Sequence, residues 1–379
     1  MKKFIIFVLS AVIICASCGK SDESKENSAQ DDSSDMSDSS QQAELKYNDL
    51  GIPLEARYGS YDRAITPWDM IVYEEYLYIG SGDWQRNAGP VDIWRYDIKN
   101  KEWEKSGTVP DEEANRFRVI DGKLLLPGID PTSGWELGNF YSMENGVWEV
   151  TRTIPNGIHC FDLAFYDNKL FAAIKTESEH HKVAVSSDGG QSFVSVPLIK
   201  NGSVVQNSSF SFYFDFFEIN DKLYAFYNEE LFVYENSKFE YTASWKNKLL
   251  YINYGVFPVN SKANYNGILY FTTGYLFACE EANELRYIKT PKNEVVYDIY
   301  AYNDNLYFLC GIKEGNEYIV TIYKNNSVEE NSFETIIEFT YEIPAVSFSV
   351  YDNKVFLGMA LNNTNNKNNG RILEMEILK

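Results

Sequence analysis

The chain is poor in cysteine, histidine and positive charge. It has five cysteines, three histidines and 34 lysines and arginines against 55 aspartates and glutamates, and its net charge is −21. This charge argues against nucleic acid or an anionic lipid surface as a partner, because both are polyanions. Cys160, Cys279 and Cys310 are an odd number without close spacing. They predict buried apolar cysteines rather than a disulfide framework or a zinc site.

The apolar run near the N-terminus is too short for a membrane-spanning helix. It covers residues 4–14, about half of the ~20 residues that such a helix needs. Two lysines precede it, and two small residues stand directly before Cys18. This order predicts a cleaved export signal over residues 1–17.

Small residues before a cysteine at this distance resemble the lipobox of bacterial lipoproteins. The resemblance implies that Cys18 becomes the lipid-bearing first residue of the mature chain and that a lipid bilayer is a partner. Cys15 stands where such sequences usually have Leu or Val. A plain secretory signal cut near Ala16 is the alternative.

Residues 18–47 are rich in Ser, Asp, Glu and Gln and almost free of apolar side chains. Such a segment cannot bury enough surface to offset the entropy lost on ordering, so it is predicted to be a disordered tether to a folded domain at 48–379. The expected location is the bacterial cell envelope. Gly19 after the cysteine favours the outer membrane, acidic residues at 22 and 23 suit surface export, and the periplasmic face stays open.

One short pattern recurs roughly every 46 residues through the rest of the chain. Each copy is an apolar run, then Asn, Asp or Gly residues, then an apolar–aromatic run, which predicts a β-hairpin. Self-similarity at this period with strands only, and no convincing amphipathic helix, predicts an all-β fold: a β-propeller with one four-stranded antiparallel blade per repeat. The count favours seven blades, with six or eight left open. The copies lie at 72–80, 119–127, 165–173, 218–226, 264–272, 301–309 and 350–358.

The spacing of these copies also predicts where the strands lie. The first blade is predicted at 69–73, 76–81, 92–97 and 103–108. The last blade lacks an outer strand, and an open edge would be a liability in a closed ring. Residues 52–58 are therefore predicted to pair beside 371–378. The aromatic residue that begins each outer strand is predicted to pack between blades, as at Trp103, Trp148 and Phe239.

One turn matches a longer motif. Ser186, Asp188, Gly190, Ser192 and Phe193 resemble the Asp-box of sialidase-like propellers, and the repeat as a whole resembles the kelch and Asp-box propellers. The aspartate is expected to accept local backbone N–H groups, and the second glycine to supply a permissive φ angle. The motif is structural and says little about activity.

One position at the entry of each innermost strand should face the central channel. Four aspartates together are costly unless they are hydrogen-bonded, solvated or ion-paired. They predict either a cation or polar-ligand site at the channel mouth, or a set of aspartates that tie each strand to a neighbouring blade through its N–H groups. In phase, these positions are Asp69, Arg116, Asp162, Asp215, Ser261, Asp298 and Ser347.

The long connections of blades 1 to 3 gather Trp, Asp, Arg, Asn and His on one face. Tryptophan rings with carboxylate and amide partners suit sugars, whose C–H faces stack and whose hydroxyls need donors and acceptors. The alternative is that the tryptophans only seal blade junctions. The predicted ligand-binding residues are Trp68, Asp69, Asp83, Trp84, Arg86, Arg116, Asp130, Trp135, Asn139, His159 and Asp162.

Three functions follow as hypotheses. The first is a binding protein for a glycan or a protein partner, expected to be a monomer without a cofactor. The second is a glycosidase or lyase that uses a carboxylate pair from Asp69, Asp83, Asp130 and Asp162. The sialidase resemblance adds little here, because that family needs three arginines on the substrate and this sequence is arginine-poor. The third is a scaffold or adhesin. No catalytic residue or metal ligand is assigned.

Overall fold

The structure is a computed structural model that describes residues 46–59, 63–134, 136–176, 181–205, 214–251, 259–325, 332–361 and 366–377. The predicted export signal, Cys18, most of the predicted tether and Trp135 lie outside these residues. Among the described residues, no helix is long and apolar enough to cross a membrane.

The described residues form seven successive sheets, and each holds the four antiparallel strands of one blade. The predicted seven-bladed β-propeller is confirmed. From the innermost to the outermost strand, blades 1 to 4 are Asp69–Tyr73, Tyr76–Gly80, Val91–Asp97 and Glu102–Val109; Arg118–Ile120, Lys123–Pro127, Leu137–Glu144 and Val147–Pro155; Gly157–Tyr166, Lys169–Thr176, His181–Ser186 and Val194–Val196; Phe214–Ile219, Lys222–Tyr227, Glu230–Glu235 and Lys238–Ser244.

The remaining blades repeat the same order. Blade 7 takes its outermost strand from the N-terminal end of the described chain. Blades 5 to 7 are Ser261–Tyr265, Ile268–Thr272, Leu276–Cys279 and Leu285–Ile288; Val295–Tyr302, Asn305–Glu314, Glu317–Asn325 and Phe333–Tyr341; Ala345–Tyr351, Lys354–Met359, Arg371–Glu376 and Tyr47–Gly51.

The turns between the first two strands of each blade explain why the repeat can be recognised in the sequence. In six of the seven turns both central residues have a positive φ, as at Asn220 and Asp221 with φ of 49° and 57°. Asn, Asp and Gly tolerate this conformation best. The observed strands of blade 1 lie within one residue of the predicted ones at each end.

The core is divided into seven clusters of buried apolar side chains, one at each junction between neighbouring blades. The predicted interblade aromatics take part: Phe239 is buried between blades 3 and 4, and Trp148 packs between blades 1 and 2. Trp103 packs between blades 7 and 1 and donates from Nε1 to the Leu50 carbonyl at 2.7 Å. Cys160, Cys279 and Cys310 are buried and free, as predicted.

The ring is closed by strands from the two ends of the described part of the chain, but the N-terminal one is not the predicted strand. Tyr47–Gly51 pairs antiparallel with Arg371–Glu376, from Tyr47 opposite Met375 to Gly51 opposite Ile372. Residues 52–58 were predicted for this role, and that prediction is wrong. Pro53 cannot donate to a ladder, and a short helix, Glu55–Tyr58, follows it.

Within the described ranges, two blades carry additional strands. Asp111–Glu113 and Ile129–Pro131 join the sheet of blade 3 at its innermost strand. Leu198–Lys200 and Ser203–Val204 extend blade 4 at its outer edge, the former pairing in parallel with Lys238–Ser244. Short 3-10 helices at Arg63–Ile65 and Trp84–Arg86 complete the connections of blade 1.

Candidate functional site

Three of the in-phase aspartates tie neighbouring blades together. Asp69 accepts the Phe117 N–H of the next blade at 2.6 Å, and Asp298 accepts the Phe348 N–H at 2.9 Å. Asp162 accepts the Phe216 N–H at 3.0 Å. In each case the donor is the residue after the in-phase position of the following blade, so the repeat itself places donor and acceptor. These contacts agree with the second interpretation of the aspartates, in which each one ties its strand to a neighbouring blade through an N–H group.

The two in-phase serines make the same kind of link. Ser261 Oγ accepts the Ile299 N–H at 3.3 Å and donates to the Ile299 carbonyl at 3.2 Å. Ser347 donates to the Pro67 carbonyl at 2.6 Å, which joins blade 7 to blade 1.

A buried network of charges crosses the channel at this level. Arg116 donates to Asp215 at 2.7 Å, and Lys262 contacts both Asp215, at 2.9 Å, and Asp162. Arg118 Nε donates to Asp162 at 2.8 Å. Three cations therefore face two carboxylates, drawn from blades 2 to 5.

Lys262 was missed as a site residue, although the sequence holds the clue. It stands one residue after the in-phase position, where the other blades have the apolar residues Met70, Phe117, Leu163, Phe216, Ile299 and Phe348. A single lysine in a row of apolar residues on the innermost strands predicts an ion pair inside the channel.

A cavity of about 260 Å³ opens above this network, at the channel mouth where the innermost strands begin. Its wall combines an indole ring with four cationic and four acidic side chains, so charged groups of both signs face it. Its aromatic, charged and amide lining residues include Trp68, Arg63, Arg116, Arg118, Lys262, Asp69, Glu113, Asp215, Asp298 and Asn115.

The carboxyl groups of this region titrate very differently. Burial raises the pKa of Glu113 to about 8, and burial together with the charge of Asp69 raises that of Asp298 to about 7. Burial acts in the same direction on Asp162, but Arg118 and Lys262 outweigh it and hold its pKa well below the usual range. Near neutral pH this region therefore holds an ionised carboxylate, Asp162, in the network below the cavity and a largely protonated carboxyl group, Glu113, in the cavity wall.

Glu113 gives a testable pH dependence. Its pKa is about 8 in the folded protein against 4.5 for the ordinary group, so the folded state keeps a proton that the unfolded chain releases between these values. We expect the free energy of unfolding to fall as pH rises through this window. Glu113→Gln should flatten that fall in urea titrations at several pH values, whereas Glu149→Gln, an exposed control, should leave it unchanged. Equal slopes in all three proteins would contradict the assignment.

The predicted loop residues of blade 1 are held by the protein rather than free of packing. Asp83 is fully buried, caps the 3-10 helix at Trp84–Arg86 and pairs with Arg63 at 3.0 Å. Trp68 donates to the Gly82 carbonyl at 2.8 Å, and the Arg63 guanidinium lies 4.9 Å from its ring centre. Arg86 is exposed and lies 3.6 Å from Asp83.

The residues from blades 2 and 3 are also placed by packing. His159 of blade 3 is buried, and the ring of Trp84 from blade 1 meets it edge-on at 5.8 Å. Asn139 is buried and donates to Asp111 at 2.9 Å. Asp130 is half-buried with a φ of 62°. Of the predicted ligand-binding residues, those that line the cavity are Trp68, Asp69 and Arg116.

The turn with the Asp-box pattern has the expected local contacts. Asp188 accepts the Ser192 N–H at 2.9 Å, and Gly190 has a φ of 94°. A Cβ atom at Gly190 would lie 2.4 Å from the ring of Phe140, so glycine is also required by packing. Among the described residues, no group of three or more His, Cys, Asp or Glu side chains is arranged to hold a metal ion.

Fold and cavity together define the class: a closed seven-bladed β-propeller with a polar cavity at one channel mouth. No protein-family model and no curated protein matches the sequence. Among solved structures, the chain is similar to the WD40 β-propeller domain of Doa1, with 13% identity, a TM-score of 0.52, and 88% of this chain and 98% of that chain covered. A chain of the mitotic checkpoint complex has 7% identity and a TM-score of 0.51, with 95% and 99% covered.

A polysaccharide lyase, an ulvan lyase with bound saccharide, has 12% identity and a TM-score of 0.42, with 87% of this chain and 96% of that chain covered. At these identities, the likeness to the Doa1 and checkpoint-complex propellers shows the fold alone. The ligand must be argued from the cavity.

Proposed function

We propose that the protein is a binding protein whose channel-mouth cavity takes a small, hydroxyl-rich ligand, such as one sugar ring of a glycan. The observation that carries this proposal is the mixed wall of the cavity. Trp68 contributes an indole ring to this wall, and charged and amide groups around it offer both donors and acceptors. A hydroxyl group both donates and accepts, so it suits such a wall.

Charge and size support the same ligand class. Four cationic and four acidic residues line the cavity. A strongly charged ligand of either sign would be repelled by the like charges in this wall. A polar ligand of low charge would not be repelled. The volume of about 260 Å³ lies just below the ~300–1,000 Å³ of ordinary ligand pockets, which favours one ring over a long chain.

The test is a screen of methyl glycosides of common hexoses, amino sugars and uronic acids against the full-length protein in detergent. Trp68→Ala should weaken binding of a hit by about 1–3 kcal/mol, as loss of a stacking aromatic does. Trp84→Ala is the matched control, because Trp84 packs on His159 outside the cavity wall. Trp68→Phe should keep most of the affinity and guards against a folding defect.

The outcome also separates the cavity from the loop face of blades 1 to 3. Binding that survives Trp68→Ala but is lost in Trp84→Ala would overturn the cavity as the site and favour the loop face.

Catalysis on a bound glycan is a second candidate, and one observation favours it. Glu113 lines the cavity with a pKa of about 8, and a carboxyl group protonated at neutral pH can act as a general acid. Asp69 is the one member of the carboxylate set Asp69, Asp83, Asp130 and Asp162 that lines the same cavity. Turnover of a hit that is lost in Glu113→Gln would support an enzyme; binding without turnover supports a receptor.

We propose that Cys18 anchors this domain to the bacterial cell envelope. Cys18→Ala should move the protein from the membrane fraction to the soluble fraction and stop incorporation of labelled fatty acid. Cys15→Ala is the matched control and should leave both unchanged, because bulky Ile14 precedes Cys15. Membrane retention of Cys18→Ala would place the anchor elsewhere.

A further inference from the structure

A second cleft, of about 480 Å³, lies on the innermost strands of blades 2 to 5. Its lining residues follow the in-phase positions toward the turn end of each strand, so the cleft opens at the channel end opposite the cavity. Val119 and Phe165 stand at this end and remain 49% and 44% exposed. Ten of its fifteen lining residues are apolar: Val119, Ile120, Leu163, Ala164, Phe165, Phe216, Phe217, Leu223, Ala263 and Leu269.

The cleft and the cavity share Arg118 and Lys262 in their walls. Lys262 is saturated by Asp162, Asp215 and the Phe216 carbonyl. Arg118 is not: its hydrogen bonds to described residues use Nε and Nη1, which leaves Nη2. Its side chain is 23% exposed.

Two cations of the network, Arg118 and Lys262, reach the wall of the cleft. Both pair with Asp162, Lys262 also pairs with Asp215, and the charge of Asp69 also acts on Arg118. At the rim, Asp121 and Glu218 are exposed to solvent, where water screens their charge more than it screens the buried guanidinium. The cleft thus combines apolar walls with the partly exposed guanidinium of Arg118.

We propose that this cleft binds a small organic carboxylate with an apolar body, with the carboxylate on Arg118 Nη2 and the body against Val119 and Phe165. A guanidinium edge matches a carboxylate in geometry and charge. Exposed apolar side chains around it match an aromatic or aliphatic body. This site shares Arg118 and Lys262 with the wall of the proposed saccharide site but opens at the other end of the channel, and the proposal goes beyond that function.

The test uses phenylpropionate as the probe on the full-length protein in detergent, with phenylpropionamide as its neutral counterpart. Calorimetry measures the binding of each compound. Saturable binding of the acid is expected, and the affinity for the amide should be lower by about tenfold or more. Val119→Glu places a negative charge in the cleft and should lower the affinity for the acid by at least about tenfold. Val150→Glu, on an outer strand of the same blade and 52% exposed, is the matched control and should bind as the parent does.

Three results would overturn this assignment: no saturable binding of the acid, equal binding of acid and amide, or equal affinities of the two glutamate variants. Trp68→Ala, in the cavity at the other end of the channel, should leave phenylpropionate binding unchanged. The two sites can therefore fail independently, since loss of saccharide binding in Trp68→Ala has no bearing on the carboxylate cleft.

Discussion

Replacing Asp162 with asparagine is expected to lower the free energy of unfolding by about 3–5 kcal/mol, the usual cost of removing one partner from a buried ion pair. The Asp162 side chain is fully buried and pairs with Arg118 at 2.8 Å and with Lys262. The neutral amide keeps the shape but leaves both cations short of a carboxylate. Urea denaturation of the two proteins measures the difference.

Asp167→Asn is the control for this comparison. Asp167 lies in the same blade and pairs with Lys169 at 2.7 Å, but its side chain is 66% exposed. Exposed pairs contribute little, so a change below about 1 kcal/mol is expected. If Asp162→Asn were no more destabilising than Asp167→Asn, the network would not hold blades 2 to 5 together.

Removal of residues 46–51 is the second large effect we expect. It deletes the strand Tyr47–Gly51 that completes blade 7, exposes the edge of Arg371–Glu376 and removes the carbonyl that accepts the Trp103 N–H. A loss on the order of 5 kcal/mol is expected, because a paired edge and its apolar cover are lost together. Thermal and urea unfolding measure it.

Deletion of residues 19–45 is the matched truncation, since it stops short of the closing strand and is expected to leave stability unchanged. A protein without residues 46–51 that unfolds like this control would show that closure by the N-terminal strand does not stabilise the ring.

The fold was predictable because its signal is local and repeated. Each hairpin carries its own turn residues, and a period of one blade repeats them in phase. The closing strand was misplaced because its partner is more than 300 residues away, from Asn48 to Glu374, and no repeat marks it. Pro53, two residues after the end of the strand, was the local evidence against extending it through residues 52–58.

The site was predictable in part. The interblade contacts of Asp69, Asp162 and Asp298 follow from their common phase. Burial of Asp111 and Glu113 did not follow, because acidic residues disfavour strands. These two are buried by the pairing of Asp111–Glu113 with Ile129–Pro131, a tertiary contact that overrides local propensity. The long connections of blades 1 to 3 therefore form structure of their own, where the sequence indicated exposed loops.

The central claim, that a saccharide enters the channel-mouth cavity, is tested most directly by fluorine NMR of the fluorotryptophan-labelled protein. The chain has seven tryptophans, of which Trp68 lines the cavity and Trp245 is fully buried in the core between blades 4 and 5. Titration with the tightest methyl glycoside of the screen should shift the Trp68 resonance in a saturable way and leave that of Trp245 in place. A saturating glycoside that leaves the Trp68 resonance unmoved, or a panel in which none binds, would contradict the claim.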